Sequence, residues 1–344
     1  MAVAKDVKEY YGKTLSCSDD VRTCKPCMLE DRSQVPASVR EALAMVHPEI
    51  ENTYYGCGLV MPSLVRGATI LDLGSGAGRD CYALSKLVGA NGHVTGIDMT
   101  EELLDVAKKF ISYHQEKFGY SKPNVEFRQG LIENLKEAGL NDDQFDIVIS
   151  NCVLSLSPDK PSVLREAHRV LHQGGELYFS DIYVGQDIPM RIKVNKVLWG
   201  EGMAGALHWQ ELVRLAKEIG FTTPRLVTAQ VDEVNDEELQ EIVGDIIYVS
   251  ATYRLFKSSE DASDSPTVAT YDGSLPEYEE SLPFDKEHTF VANVPQTVDG
   301  ELASILKISR YSKAFRIEDI AESERDSQVI KSCPVDPYKY IKQD

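Results

Sequence analysis

The chain has 344 residues, and its 36 Lys and Arg against 55 Asp and Glu leave a formal charge of -19. That balance argues against nucleic acid and against an anionic membrane surface, both of which need clustered cations. No apolar run approaches the ~20 residues of a spanning helix, and residues 1–10 carry charge where a signal peptide would be apolar, so a cytoplasmic protein is expected. Seven cysteines, odd in number and unevenly spaced, do not form a secreted disulfide framework. Reduced thiols that do chemistry or bind something soft are the better expectation.

Residues 1–66 form an N-terminal segment. A short helix over 7–12 closes at Gly12, residues 16–34 are polar and loop-like, and a second helix is expected from about 37 to 46. Then comes Tyr54-Tyr55-Gly56-Cys57-Gly58, a thiol between two glycines that give it backbone freedom. From Thr69 strand and helix alternate. Strands are expected at 69–73, 93–97, 125–128, 145–150, 176–180, 225–228 and 246–256, and helices at 79–88, 101–118, 160–171 and 209–219. The alternation implies an α/β fold, a doubly wound sheet with parallel strands at its centre spanning residues 67–257. After Lys257 the composition turns to Ser, Asp, Glu and Pro, so 258–280 reads as a linker or mobile surface segment. A strand at 288–292 and a helix at 301–315 then suggest a small lobe within 258–344, with an uninformative polar tail from 317.

The unit around which the sheet is organised reads Thr69-Ile70-Leu71-Asp72-Leu73-Gly74-Ser75-Gly76-Ala77-Gly78-Arg79-Asp80 and ends in Gly96-Ile97-Asp98. Glycines let the backbone approach a ligand, the next helix points free amides at it, and the acid Asp98 can accept ribose hydroxyls. The third glycine comes one position too early for a dinucleotide fingerprint, and Arg79 stands where a small residue belongs. Asp72 would repel a pyrophosphate but attract the ammonium and sulfonium of S-adenosylmethionine, which is therefore the expected cofactor.

The positions of the thiols matter more than their number. Cys152 follows the strand over 145–150 and lies at the carboxyl edge of the sheet, where ligands of such folds bind. Cys57 sits in a segment that could fold over that edge as a lid. Cys81, inside the first helix of the sheet domain, reads as core, and Cys17 and Cys333 receive no role. Cys24-Lys25-Pro26-Cys27 has redox or metal spacing, but no second pair stands near it, so structural zinc is not expected.

Taken together, the sequence resembles the arsenite methyltransferase family. The matching stretches are Tyr10-Tyr11-Gly12, Val39-Arg40-Glu41-Ala42-Leu43, Tyr54-Tyr55-Gly56-Cys57-Gly58, residues 71–82 and 92–100, Ser150-Asn151-Cys152-Val153, residues 174–181 and Leu198-Trp199-Gly200-Glu201. They span most of 7–257, and weaker similarity continues to about 315. The resemblance implies a class I methyltransferase sheet, with Cys57 and Cys152 binding trivalent arsenic and Cys27 or Cys24 taking part in binding or in disulfide exchange with Cys57. It further implies that Asp72, Gly74, Gly76, Asp98, Met99, Leu131, Ile132 and Asn151 line the cofactor site, and Gly78 is expected among the cofactor-binding glycines. Arsenite or its glutathione complex is the implied substrate, thioredoxin or glutathione the implied reductant, and a monomer is expected. Gly202 departs from the pattern, because a third arsenic-ligating cysteine is expected there. Two rivals remain: methylation of O, N or C on another small molecule, with Asn151 or His208 at the acceptor, and non-catalytic sequestration of arsenic or antimony.

Overall fold

The computed structural model describes residues 2–15, 20–22, 35–258, 265–320 and 333–341. The N-terminal segment supplies helix α1 (Ala2–Glu9), which runs into a π-helical turn at Tyr10–Thr14, then α2 (Ala37–Ala44) and the short α3 (Pro48–Glu51). The sheet domain begins with β1 (Thr69–Leu73), α4 (Arg79–Val88), β2 (His93–Asp98), α5 (Glu101–Lys109), α6 (Ile111–Phe118), β3 (Val125–Gln129) and β4 (Phe145–Asn151). It continues with α7 (Lys160–Val170), β5 (Leu171–Val184), the short α8 (Met190–Lys193) and α9 (Lys196–Gly200), β6 (Leu207–His208), α10 (Trp209–Ile219), β7 (Arg225–Asp232), α11 (Glu237–Val243) and β8 (Tyr248–Phe256).

The strand order β3-β2-β1-β4-β5-β8-β7 is the doubly wound arrangement expected from the alternation. Neighbours from β3 to β5 are parallel, whereas β8 runs antiparallel to both β5 and β7. Order reverses at β1 and β4, which opens a crevice at their carboxyl ends. β1 and β4 are buried almost throughout because separate cores press on the two faces of the sheet. Among the described residues no helix is long and apolar enough to cross a membrane.

Several expected elements differ. The helix over 101–118 breaks at Phe110, whose φ of -104° and ψ of 8° leave the helical region, and becomes α5 and α6. The stretch 258–280, expected as a linker, contains β9 (Thr267–Tyr271), with Tyr271 fully buried. Its β-branched and aromatic residues were diluted by the polar residues around them. β9 is the centre of a second sheet, followed by the hairpin β10 (Ser281–Pro283) and β11 (Thr289–Val291), then β12 (Pro295–Val298), α12 (Gly300–Ile308) and β13 (Phe315–Asp319). The helix expected over 301–315 therefore stops at Ile308, and Phe315 begins a strand paired with Tyr271 of β9. The polar tail also has a place. Leu226 donates its amide to the Pro334 carbonyl at 2.8 Å and the Tyr253 hydroxyl to the Val335 carbonyl at 2.7 Å, so the tail covers the open edge at β7.

Candidate active site

At the carboxyl ends of β1, β2 and β4 lies a cavity of about 1000 Å³, its open mouth included. The turn after β1 makes its floor: the amides of Gly74 and Ser75 both donate to the Ile97 carbonyl, at 2.8 and 3.0 Å. Gly74 has φ +72°, and a Cβ there would stand 2.5 Å from the Val153 side chain. Only glycine allows that approach between the turn and the loop after β4.

Asp72, Gly74, Gly76, Asp98, Met99, Leu131, Ile132 and Asn151 all line this cavity. Gly78 does not. It caps α4 at φ +87°, and a Cβ would meet the Phe127 ring at 2.6 Å, so its role is to seat the helix on the sheet.

Four acids, Asp72, Asp80, Asp98 and Glu133, line the same space. Burial, then the charge of Asp80, pushes the Asp72 carboxyl up to about 8, against a lowering hydrogen bond from the Cys81 thiol at 3.1 Å. Burial also raises Asp98, opposed by the amides of Thr100 and Gly76, which donate to its two oxygens at 2.8 and 2.9 Å. Asp80 pairs with Arg79 at 2.9 Å. A carboxyl that burial has pushed this far finds its natural partner in a bound cation, and a sulfonium or ammonium fits that requirement. The cavity therefore suits S-adenosylmethionine on its own chemistry. Cys81, expected as core, is fully buried and is also the hydrogen-bond donor to Asp72.

The roof comes from the N-terminal segment. The Arg79 guanidinium lies 4.0 Å above the centre of the Tyr54 ring and reaches Glu51 at 3.2 Å. Asn151, at the end of β4, ties the roof down. Its Nδ2 faces the Tyr54 hydroxyl (2.6 Å), the Gly58 carbonyl (2.9 Å) and Asp80 (3.0 Å), and its Oδ1 accepts the Cys57 amide at 3.1 Å. Gly56 and Gly58 are required here, since a Cβ would lie 2.6 Å from Asn151 Nδ2 and 2.5 Å from Ser180 Oγ respectively.

This folding brings Cys57 and Cys152, 95 residues apart, together as a disulfide with their Cα atoms 5.7 Å apart. The expectation of two free thiolates is corrected for this state: the sulfurs meet, but as an oxidised pair. Cys152 has φ +56°, an uncommon conformation for a residue with a side chain, and its amide donates to the Ser180 carbonyl at 2.9 Å. Cys152 lines the large cavity as well as a smaller one shared with Cys57, Tyr10, Tyr11 and Glu201. There the Tyr10 hydroxyl donates to Glu201, and Tyr11 to the Gly200 carbonyl at 2.9 Å.

Other sequence candidates stand elsewhere. Cys17, Cys24 and Cys27 lie outside the described residues. Gly202 has φ +84°, and a Cβ would meet Ser155 Oγ at 2.9 Å and Ile182 at 3.2 Å. His208 caps α10 by accepting the Gln210 amide at 3.3 Å and does not line the cavity. Among the described residues no group of three or more His, Cys, Asp or Glu could hold a metal ion. Sequence reasoning missed Asp80, Tyr54 and Arg79 as parts of the site. An acid directly after the glycine turn, at the first turn of a helix, was the one signal available for Asp80.

Comparison with known proteins agrees with this geometry. Residues 64–220 match the family profile "Methyltransferase domain" and residues 264–344 the profile "Arsenite methyltransferase C-terminal domain". The arsenite methyltransferase of Homo sapiens is 47% identical over 99% of this chain and 92% of its own length. That of Aquipseudomonas alcaligenes is 44% identical over 96% and 94%. Among solved structures, an arsenic(III) S-adenosylmethionine methyltransferase from Chlamydomonas reinhardtii superposes with a TM-score of 0.79 at 44% identity, covering 83% of this chain and 97% of that one. The chain thus belongs to the arsenite methyltransferase family, built on the S-adenosylmethionine-dependent class I methyltransferase fold.

Proposed function

We infer that this protein methylates trivalent arsenic with S-adenosylmethionine, and that Cys57 and Cys152 hold the arsenic. One observation carries the assignment of the pair: two cysteines from distant segments meet at the wall of an acid-lined cavity, one of them in a left-handed backbone conformation that such sites retain at a cost.

The disulfide must first open. Two external thiols deliver two electrons and two protons, leaving two cysteine thiols and one external disulfide; glutathione or thioredoxin fits this role, in a reducing compartment such as the cytoplasm. Arsenous acid then exchanges two hydroxyls for the two thiolates, and the displaced hydroxyls leave as water with the thiol protons. A thiol of pKa ~8.5 gives up its proton readily to such a soft centre. Three-coordinate arsenic keeps a lone pair, which is the nucleophile, so no general base is needed. Bound against Asp72 and Asp98, S-adenosylmethionine supplies an electrophilic methyl group.

The chain's own task is alignment, which can contribute ~7 to 11 kcal/mol to such a transfer. Asn151 fixes the Cys57 amide, and the Ser250 hydroxyl donates to the Cys57 carbonyl at 3.0 Å. With glycine at 202, the third position on arsenic falls to a hydroxide, an added thiol such as glutathione, or one of Cys24 and Cys27. Cys27 or Cys24 serves in thiol exchange with the pair. All of these groups belong to one chain, so a monomer suffices.

The test is incubation of the reduced protein with methyl-labelled cofactor and arsenite. Labelled methylarsenic is expected, with little or none when the reductant is omitted. Cys57→Ser and Cys152→Ser should abolish it while cofactor affinity stays within about twofold, because neither side chain holds the adenosine. Parental methylation rates in both variants would refute the thiol pair. Tight arsenic binding without product would favour sequestration.

A further inference from the structure

From residue 54 to 68 the segment that carries Cys57 has no helix or strand. Several of its backbone polar groups are held by side chains from other parts of the chain rather than by a ladder. Next to Cys57 the holders come from the large sheet, Asn151 and Ser250. Six residues further on they come from the C-terminal lobe. Arg310 Nε donates to the Ser63 carbonyl at 2.9 Å, and the Tyr311 and Ser63 hydroxyls lie 2.7 Å apart. Leu64, with φ +55°, packs against the core of the lobe.

The holders are themselves fixed. The fully buried Tyr311 accepts through its hydroxyl from Arg254 at 2.9 Å and from Arg310 at 3.0 Å. Glu176 of β5, with no exposed surface, pairs with Arg254 of β8 at 2.6 Å and also with Arg310. The Arg254 guanidinium lies 3.9 Å from the centre of the Phe284 ring. Two cations, one carboxylate and one phenol thus close a network where sheet and lobe meet. Such a network has a discrete geometry, because removing one member leaves a charge buried without its partner.

We propose that Arg310 and Tyr311 are positioning residues for the arsenic site: the C-terminal lobe clamps Ser63 and thereby fixes how Cys57 is presented to Cys152. The proposal rests on the reading of those cysteines as the arsenic pair. Among the described residues none of the lobe lines either cavity, so the clamp acts on thiol pairing and not on the methyl donor.

The experiment uses the full chain and two small deletions. Tyr311→Phe keeps the buried ring and removes the hydroxyl; Ser63→Ala removes the other end of the same hydrogen bond and leaves the lobe intact. Three quantities are measured. They are the rate at which reduced protein forms the Cys57–Cys152 linkage with oxidised glutathione, by peptide mass spectrometry; arsenite affinity from thiolate-to-arsenic absorbance; and cofactor affinity by calorimetry. Linkage formation about fivefold slower and arsenite binding about fivefold weaker, with cofactor affinity within about twofold, is expected. Unchanged linkage rate in both variants overturns the clamp. Parallel loss of cofactor affinity also overturns it, in favour of a general loss of fold. If Cys57→Ser leaves arsenite affinity unchanged, the arsenic-pair reading fails instead, and the linkage rate still decides on the clamp.

Discussion

Asp72 gives the sharpest handle on the cofactor site. Burial and the charge of Asp80 push its carboxyl up to about 8, so in the ligand-free protein it keeps its proton well above the pH at which an exposed aspartate loses it. A cationic ligand prefers the carboxylate form, and its binding must drive that proton off. The sign follows: affinity rises with pH up to about 8, and binding releases up to one proton. The same linkage makes the ligand-free fold lose stability as pH rises from the ordinary carboxylate range towards 8. If only the carboxylate binds, the apparent affinity scales as 1/(1 + 10^(pKa − pH)), which amounts to ~30-fold between pH 5.5 and 7.0, about tenfold per pH unit. In this window the ligand's own ammonium stays protonated, so the slope belongs to the protein. Calorimetry in two buffers of different ionisation enthalpy measures both affinity and proton release. Asp72→Asn should bind more weakly at pH 7 and lose most of the slope. A flat wild-type profile over this window, or an equal slope in the Asn variant, would refute the placement of Asp72 against the cation.

Three further outcomes follow from the geometry. Cys81→Ala removes the thiol that holds Asp72 down, so the affinity profile should move to higher pH, whereas Cys81→Ser, which retains a donor, should stay near the parent and keep its activity. Asp98→Ala should weaken S-adenosylmethionine by ~1 to 3 kcal/mol, as buried hydroxyls lose a charged partner, and an unchanged calorimetric affinity would count against its role. Gly202→Cys places a side chain at φ +84° with its Cβ 2.9 Å from Ser155 Oγ. It should cost about 1 to 2 kcal/mol in denaturant unfolding; a variant of full stability would refute the strain read from the backbone at position 202.

The sequence makes the sheet, the glycine turn and the acids Asp72 and Asp98 legible. These are local signals, because an apolar strand, a break at Gly74 and a helix start at Arg79 are written in consecutive residues, and the acid at Asp98 stands at the end of the next strand. It also singled out Cys57 and Cys152, through the glycines around one and the strand end before the other. That these two sulfurs meet follows from long-range packing, because their approach depends on Asn151 reaching 94 residues back to the Cys57 amide. Gly78 shows the opposite limit: its place in the motif suggested the cofactor, and packing against Phe127 turned it away. The C-terminal lobe was the least legible part. Its strand β9 lies in polar surroundings, and its link to the site runs through single side chains, Arg310 and Tyr311, whose partners Glu176 and Ser63 lie 134 and 248 residues away. No window of sequence contains such a pair; the buried charge of Glu176 finds its cations only when β5, β8 and the lobe have come together.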